Sequence, residues 1–458
     1  MAAVVTHRLK KQLLDTIYTE ITGATERYYV AIGRSEAWDS SETVPTPTDS
    51  FRTERNFRLS SQSLKKVVDV SYVIPRHNWT TGTLYSAYDD SYVGVPTNAH
   101  YVLTEDNQVY LCLRQGKNAQ GTSVTSTVKP TGTSALPLKT SDGYVWKFMY
   151  ALTGATSTKF LSSNFMPVQF ITDSAGDPSL SSIDVLQATV QEAAVKGQVI
   201  NAVVTDGGSG YTSAPSITFE GNGTGAAATA FVHNGVVVKI EMDSSADSAL
   251  SLGKNYDYAN IKFSGGGGTG AKARVNLSHD SGIGANPIID LRSPSLMLNV
   301  KPAGAENGDF IVANQDFRQI ALIKTPTRHA DSAYTPTTGR ALRYLELTSV
   351  SDAGSFSRDV TITGSTSGAQ ALIDDIDSDR LYVHQNEDTG FTKFVEGEAI
   401  TGGGQTGSLT AAGEDSDTDA FYNDDIDQFS GSILYVENRA PVERTTTQTE
   451  DIKAVITL

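Results

Sequence analysis

Gly210-Tyr211-Thr212-Ser213-Ala214-Pro215-Ser216-Ile217-Thr218-Phe219, followed by Gly223-Thr224-Gly225-Ala226, reads as a turn, a short strand, a glycine turn and a second short strand. The figure returns as Tyr256-Asp257-Tyr258-Ala259-Asn260-Ile261-Lys262-Phe263 with Gly268-Thr269-Gly270-Ala271. Two copies predict a small β module, since a solenoid usually needs three or more. A weaker duplication follows, in which Ile362-Thr363-Gly364 leads to Ser367-Gly368 and Ile400-Thr401-Gly402 leads to Thr406-Gly407. Between them Leu381 to Val383 and Phe391 to Val395 read as strands.

Outward from these repeats the texture stays β. Tyr101 to Leu113 reads as a hairpin turning at Glu105-Asp106-Asn107, and Gly143 to Leu152 as a strongly apolar strand. In that strand Trp146 and Phe148 share a face with Tyr144 and Tyr150. Ile452, Ala454, Ile456 and Leu458 alternate with polar or smaller neighbours, as a half-buried strand does. Helix signals are few. Leu9, Leu13, Ile17 and Ile21 make one helical stripe, with Thr6 and Gly23 as its ends. Residues 39–57 read as a long loop, and Ser60 or Ser61 opens a short helix through Val68. Forty glycines agree with a turn-rich, mainly β chain.

At 458 residues the chain has room for about three domains. Cys112 is the single cysteine, which excludes an intramolecular disulfide and a cysteine metal site and suits a reducing cytoplasm. The N-terminal stretch lacks a signal peptide's apolar block, and no apolar run is long enough to span a membrane. The formal net charge of -16 argues against a broad nucleic-acid surface, which needs clustered Lys and Arg. It favours solubility and could steer basic partners.

Five blocks carry a resemblance. They are Gly33-Arg34-Ser35-Glu36-Ala37-Trp38, Val73-Ile74-Pro75-Arg76-His77-Asn78-Trp79, Asp142-Gly143-Tyr144-Val145-Trp146, Phe317-Arg318-Gln319-Ile320, and Gly431-Ser432-Ile433-Leu434-Tyr435-Val436-Glu437-Asn438-Arg439-Ala440-Pro441 with Gln448-Thr449-Glu450. In order and content they resemble the baseplate wedge protein that sits as a dimer in the baseplate of T-even-type contractile-tailed phages. The resemblance implies a β-sandwich core with a few helices. It implies a structural, non-enzymatic role in baseplate assembly and tail contraction, with itself and other wedge proteins as partners. It implies a chain made in the cytoplasm of the host bacterium and resident in the virion tail. The core would comprise 1–185 with 286–344 and 424–458. Residues 186–285 and 345–423, which hold the duplications, would be inserted β modules.

Each block admits two readings. In Gly33 to Trp38, Arg34 and Glu36 form an interface ion pair beside a Trp38 anchor, or the segment is an internal turn with Trp38 in the core and Arg34 satisfying buried carbonyls. Ile74 to Trp79 and Glu437 to Pro441 present the same choice between a rigid corner and a partner lock. The interface or structural candidates are therefore Arg34, Glu36, Trp38, Arg76, Trp79, Trp146, Arg318, Tyr435, Glu437, Asn438 and Arg439. Gly221 to Gly225 and Gly265 to Gly270 lack the strand, helix and Gly-Lys-Ser/Thr context of a phosphate loop and read as turns. Asp415-x-Asp417-x-Asp419, within the acidic run from Glu414 to Asp427, has calcium-like spacing without the glycine and distal glutamate of an EF-hand, so it reads as a solvated linker. Gly364-Ser365-Thr366-Ser367-Gly368 has Thr where a nucleophile elbow needs Ser. No catalytic residue, cofactor or metal is expected. The alternatives are a tail adhesin whose inserts bind host glycans, and a cell-wall hydrolase, which needs a carboxylate pair that nothing in the sequence selects.

Overall fold

The computed structural model describes residues 3–23, 26–92, 98–242, 250–302, 316–328, 332–411, 419–423, 425–445, 448 and 450–458. The calcium-like residues Asp415 and Asp417, with Glu414, Asp424 and Thr449, lie outside them. The fold is mainly β, in several antiparallel sheets with a few helices. Among the described residues no helix is long and apolar enough to cross a membrane. The chain divides into two compact units, one of 1–11, 71–295 and 457–458, the other of 12–70 and 296–456.

The second unit contains a five-stranded sheet ordered Thr338–Arg340, Ser61–Lys66, Tyr28–Gly33, Asp316–Lys324 and Ser432–Glu443. Tyr28–Gly33 is buried along its whole length because it has a neighbour on each side and Tyr29, Ala31, Leu64, Ala321 and Ile323 share a core with Phe57 and Tyr334. A seven-stranded sheet follows, ordered Gln405–Ser408, Ala399–Gly402, Thr361–Gly364, Gln370–Asp377, Arg380–His384, Arg343–Glu346 and Phe421–Asn423. Its core gathers Leu345, Phe356, Ile362, Ile373, Leu381, Phe394, Ile400 and Phe421.

Several readings are corrected here. Residues 51–57, expected inside a loop, belong to the helix Phe51–Ser60. Ser50 caps it by accepting from Thr53 N at 3.2 Å, and Phe57 is driven into the sheet core. The helix expected from Ser60 or Ser61 is instead the strand Ser61–Lys66, drawn out by pairing with Tyr28–Gly33 on one side and Thr338–Arg340 on the other. Phe391 to Val395 is not a strand, and only Phe394 of its large apolar side chains is buried. On the first helix, His7–Thr22, the buried residues are Leu14 and Ile21, while Leu9 and Leu13 stay exposed.

In the first unit the expected hairpin is Tyr101–Leu103 with Gln108–Arg114, extended by Val145–Ala151 and Leu138–Lys139. Its aromatic face packs Tyr85, Tyr110, Tyr144, Trp146 and Phe148 with Val190 from the helix Ser182–Glu192. The duplicated segment follows, and its two copies pair with each other. Ser216–Gly221 runs antiparallel to Ala259–Ser264, with Ile217 opposite Phe263 and Phe219 opposite Ile261. Thr224–Ala226 pairs with Leu252–Lys254, and Thr269–Leu277 with Val199–Ser209. Each glycine turn thereby wraps the tyrosine of the other copy. A Cβ on Gly268 would stand 2.5 Å from the Tyr211 ring, and one on Gly223 would run into Tyr256. Tyr211 and Tyr256 are buried in consequence.

Candidate functional site

The strand Tyr28–Gly33 ends in a bulge, where its register with Ser61–Lys66 shifts between Ile32 and Gly33. A Cβ on Gly33 would sit 2.6 Å from the Ser60 carbonyl oxygen, so the position takes glycine. Arg34 then adopts a left-handed backbone, φ 61°. That bend returns its guanidinium over the Trp38 ring, 4.3 Å from the centroid, and lets it donate to Ala37 O at 3.1 Å. The Trp38 indole N–H donates to Arg439 O at 2.7 Å and so ties the turn to the strand Ser432–Glu443.

Glu36 does not pair with Arg34 across the turn. Its Oε1 accepts from His384 Nε2 at 2.6 Å and from Asn386 Nδ2 at 2.6 Å. His384 Nδ1 donates to Asp374 Oδ2, and Asp374 Oδ1 accepts from Ser35 Oγ at 2.6 Å. The imidazole is thus held between two carboxylates, one from the turn and one from the seven-stranded sheet. Burial disfavours a charge on His384, but the charge and hydrogen bonds of Asp374 and Glu36 outweigh it and push it up to about 10. Burial likewise works against ionised Glu36, yet the His384 hydrogen bond and charge, with Asn386 and Arg34, hold it down at about 2. Complete burial raises Asp374, against the pull of the imidazolium. A bulge between Ile373 and Asp375 turns two successive carboxylates inward. The second, Asp375, meets Arg340 at 2.9 Å and Arg358 at 2.5 Å.

Arg318 continues the network and is buried. Its Nη2 lies 2.7 Å from Glu42 Oε1 and 3.1 Å from Asp316 Oδ2, and its Nε donates to Glu42 Oε2 at 3.1 Å. Its Nη1 donates to Ser35 O. Burial opposes that charge, and Glu42 and Asp316 more than restore it. Across the next strand pair Gln319 Nε2 donates to Asn438 Oδ1 at 2.8 Å, and Asn438 Nδ2 donates to Pro45 O at 2.8 Å. Tyr435 donates to Glu437 Oε2 at 2.7 Å, with Arg439 Nε 3.4 Å from Glu437 Oε1.

Three blocks distant in sequence, Gly33 to Trp38, Phe317 to Ile320 and Gly431 to Pro441, therefore meet in one polar lock. It holds Arg34, Glu36, Trp38, Arg318 and Asn438, with Arg439 taking part through its carbonyl, while the side chains of Tyr435, Glu437 and Arg439 pair with one another along the strand Ser432–Glu443. Arg76, Trp79 and Trp146 belong to the other unit. Arg76 donates to Asn78 Oδ1 at 2.9 Å and Ser162 O at 3.0 Å, and Trp79 Nε1 to Ser126 Oγ at 3.2 Å. Trp146 is fully buried, stacked on Tyr144 at 5.6 Å and edge-on to Tyr85 at 5.5 Å.

The lock contains Ser, His and Asp, and their order matters chemically. A nucleophilic serine gives its proton to the imidazole while the carboxylate orients the ring's far side. Here Ser35 donates to Asp374 itself, and both ring nitrogens of His384 face carboxylates. No ring nitrogen is left to receive a serine proton, so this trio is a charge lock and not a nucleophile with its base. Asp374, His384, Asn386 and Glu42 did not stand out in the sequence. The available signal was Asp374-Asp375 set between Ile373 and Ile376, since paired carboxylates in an apolar strand need buried partners. Of the acidic run, Asp419 lies 3.5 Å from Lys393 and Asp425 accepts from Arg340 N at 2.9 Å. Among the described residues no group of three or more His, Cys, Asp or Glu is arranged to hold a metal ion. No family model matches the chain, and no curated protein matches it.

Proposed function

We propose that this chain is a structural subunit of a phage tail baseplate wedge, working as a dimer that binds neighbouring wedge proteins in baseplate assembly and tail contraction. The resemblance of five ordered sequence blocks is the basis of the reading. The observation that supports it most directly is that three of those blocks close on one another through Trp38 and Arg439, Gln319 and Asn438, and Arg318 and Ser35. The charged side chains of Glu36 and Arg318 serve internal locks, which suits a rigid frame between partners. Val4, Val5, Leu9 and Leu13 are exposed apolar side chains at the start of the chain, available to a protein surface. The chain would be made in the host bacterium's cytoplasm and reside in the virion tail. Electron microscopy of the particle with this chain located, together with sedimentation at micromolar concentration, tests the reading. A position outside the tail overturns it, as does a monomer in solution combined with a single copy per wedge.

A further inference from the structure

The strand Ser432–Glu443 closes one side of the five-stranded sheet and has a single neighbour there, Asp316–Lys324. Its two ends differ. Arg439, Ala440 and Pro441 stand between the pair Phe317 with Val442 and the pair Gln319 with Asn438, so that end is bulged and carries a proline. Such features blunt a sheet edge against further pairing. Tyr435, Val436, Glu437 and Asn438, by contrast, pair in unbroken register with Leu322, Ala321, Ile320 and Gln319. In an antiparallel ladder alternate residues turn their N–H and C=O away from the neighbour. Among the described residues those outward groups of Tyr435 to Asn438 have no backbone partner.

A groove of about 290 Å³ lies against this stretch. Residues 433–436 make one wall, and residues 47–50 with Thr53 and Glu54, from the first turn of the helix Phe51–Ser60, make the other. The hydroxyls of the second wall engage one another, with Thr53 Oγ1 2.9 Å from Thr48 Oγ1 and 3.0 Å from Ser50 Oγ. Its carboxylates differ. Among the described residues neither Asp49 nor Glu54 has a cation within ion-pair distance, although the helix carries three arginines. Arg52 and Arg55 both turn to Glu387, and Arg58 donates to the carbonyls of Gln428, Ser430 and Gly431. Glu54 attracts Arg58 from beyond ion-pair distance. On the strand wall the register shift between Leu322 and Ile323 leaves Leu434 as an extra residue, 48 % exposed. Phe51, next in the chain to the lining Ser50, is 89 % exposed.

An open ladder beside a groove is the geometry in which an extended segment adds a strand. Main-chain hydrogen bonds then give affinity, and the groove selects a side chain. The space is just below the roughly 300–1,000 Å³ typical of sites for drug-sized molecules, so it suits one long side chain. Its walls specify which. Ile433 and Val436 suit an aliphatic stem, and Asp49 and Glu54 suit a cationic head, the combination that lysine and arginine carry. We infer that this edge is a docking site for an extended segment of a partner protein, added as a sixth strand beside Tyr435 to Asn438, with a lysine or arginine side chain in the groove. Phe51 and Leu434 would then meet apolar residues flanking that side chain. The inference does not rest on the baseplate reading.

The test is fluorescence anisotropy of the full chain with labelled synthetic peptides Thr-Val-Thr-X-Thr-Val-Thr, in which X is Lys, Arg or Glu. The Lys and Arg peptides should bind saturably and about tenfold more tightly than the Glu peptide. Asp49→Asn with Glu54→Gln should cut that preference to about threefold or less, a change that mere structural damage would not produce. Asp173→Asn, an exposed carboxylate of the other unit, should leave it unchanged. Two further Lys peptides carry backbone N-methyl groups, one at odd and one at even positions. One of them should lose binding about tenfold and the other keep it, because a strand turns alternate N–H groups to its neighbour. Far-ultraviolet circular dichroism confirms that each variant is folded. Absence of saturable binding by the Lys peptide, equal affinity for the Lys and Glu peptides, an undiminished preference in the double variant, or equal behaviour of the two methylated peptides overturns the proposal.

Discussion

His384 Nε2 stands 2.6 Å from Glu36 Oε1, joining the turn after the central strand Tyr28–Gly33 of one sheet to the last residue of the strand Arg380–His384 in another sheet of the same unit. The pair fixes a pH dependence. His384 is raised to about 10 from its ordinary 6.5, so its contribution is fully present below about pH 6.5 and lost as pH rises through about 10. Glu36 is lowered to about 2 from 4.5, so its contribution is present above about pH 4.5 and lost as pH falls toward 2. Urea unfolding of the wild type should weaken from pH 6 to pH 10. His384→Gln should cost about 3–5 kcal/mol at pH 6, because it leaves two buried carboxylates without their cation, and its alkaline decline should be shallower. Equal pH slopes for the two proteins would refute the lock.

Arg34 and Trp38 should be energetically coupled. A double-mutant cycle with Arg34→Ala and Trp38→Phe, measured by chemical denaturation, is expected to give about 0.5–1 kcal/mol of interaction. Trp38→Phe alone should cost more than the coupling, since it also leaves Arg439 O without the indole N–H. Arg34→Gly should cost less than Arg34→Ala, because glycine takes the φ of 61° without strain.

The duplicated module makes a symmetric prediction. Gly223→Ala and Gly268→Ala each drive a methyl group into a buried tyrosine ring and should each destabilise by about 1–3 kcal/mol. Gly265→Ala meets no atom within 4 Å and carries only the strain of its φ of 74°, about 1 kcal/mol. Thermal unfolding of the three variants separates the effects. Ranking Gly265→Ala as the worst would contradict the mutual clasp.

The last strand, Ile452–Thr457, buries Ile452 and Ala454 and leaves Leu458 exposed. Ile452→Ala should therefore cost about 2–5 kcal/mol, while Leu458→Ala should cost far less. A truncation before Ile452 that keeps the wild-type melting temperature would remove the strand from the core account.

How much of this was legible differs from element to element. The hairpin Tyr101–Leu103 with Gln108–Arg114 and the strand Val145–Ala151 announced themselves, because alternating apolar residues beside turn residues leave few other solutions. The helix Phe51–Ser60 did not. Its apolar residues lie too far apart for a stripe, and Phe57 becomes a helix residue through the core it enters. The strand Ser61–Lys66 was misread for a related reason. Ser-Gln-Ser has weak intrinsic preference, and its conformation comes from two neighbouring strands.

The sequence by itself determined the β class, the duplication with its glycine turns, and the blocks on which the functional reading rests, since periodicity and turn chemistry are local properties of the chain. It also made Arg34, Glu36 and Trp38 conspicuous together. Which partner each would take was decided only by tertiary structure. Glu36 lies two residues from Arg34 in the chain, yet its hydrogen bonds go to His384 and Asn386, more than 300 positions away. Trp38 likewise reaches Arg439. Pairing at that range depends on sheet order and on bulges at Gly33 and Asp374, and these follow from the packing of whole strands, which no short window of sequence records.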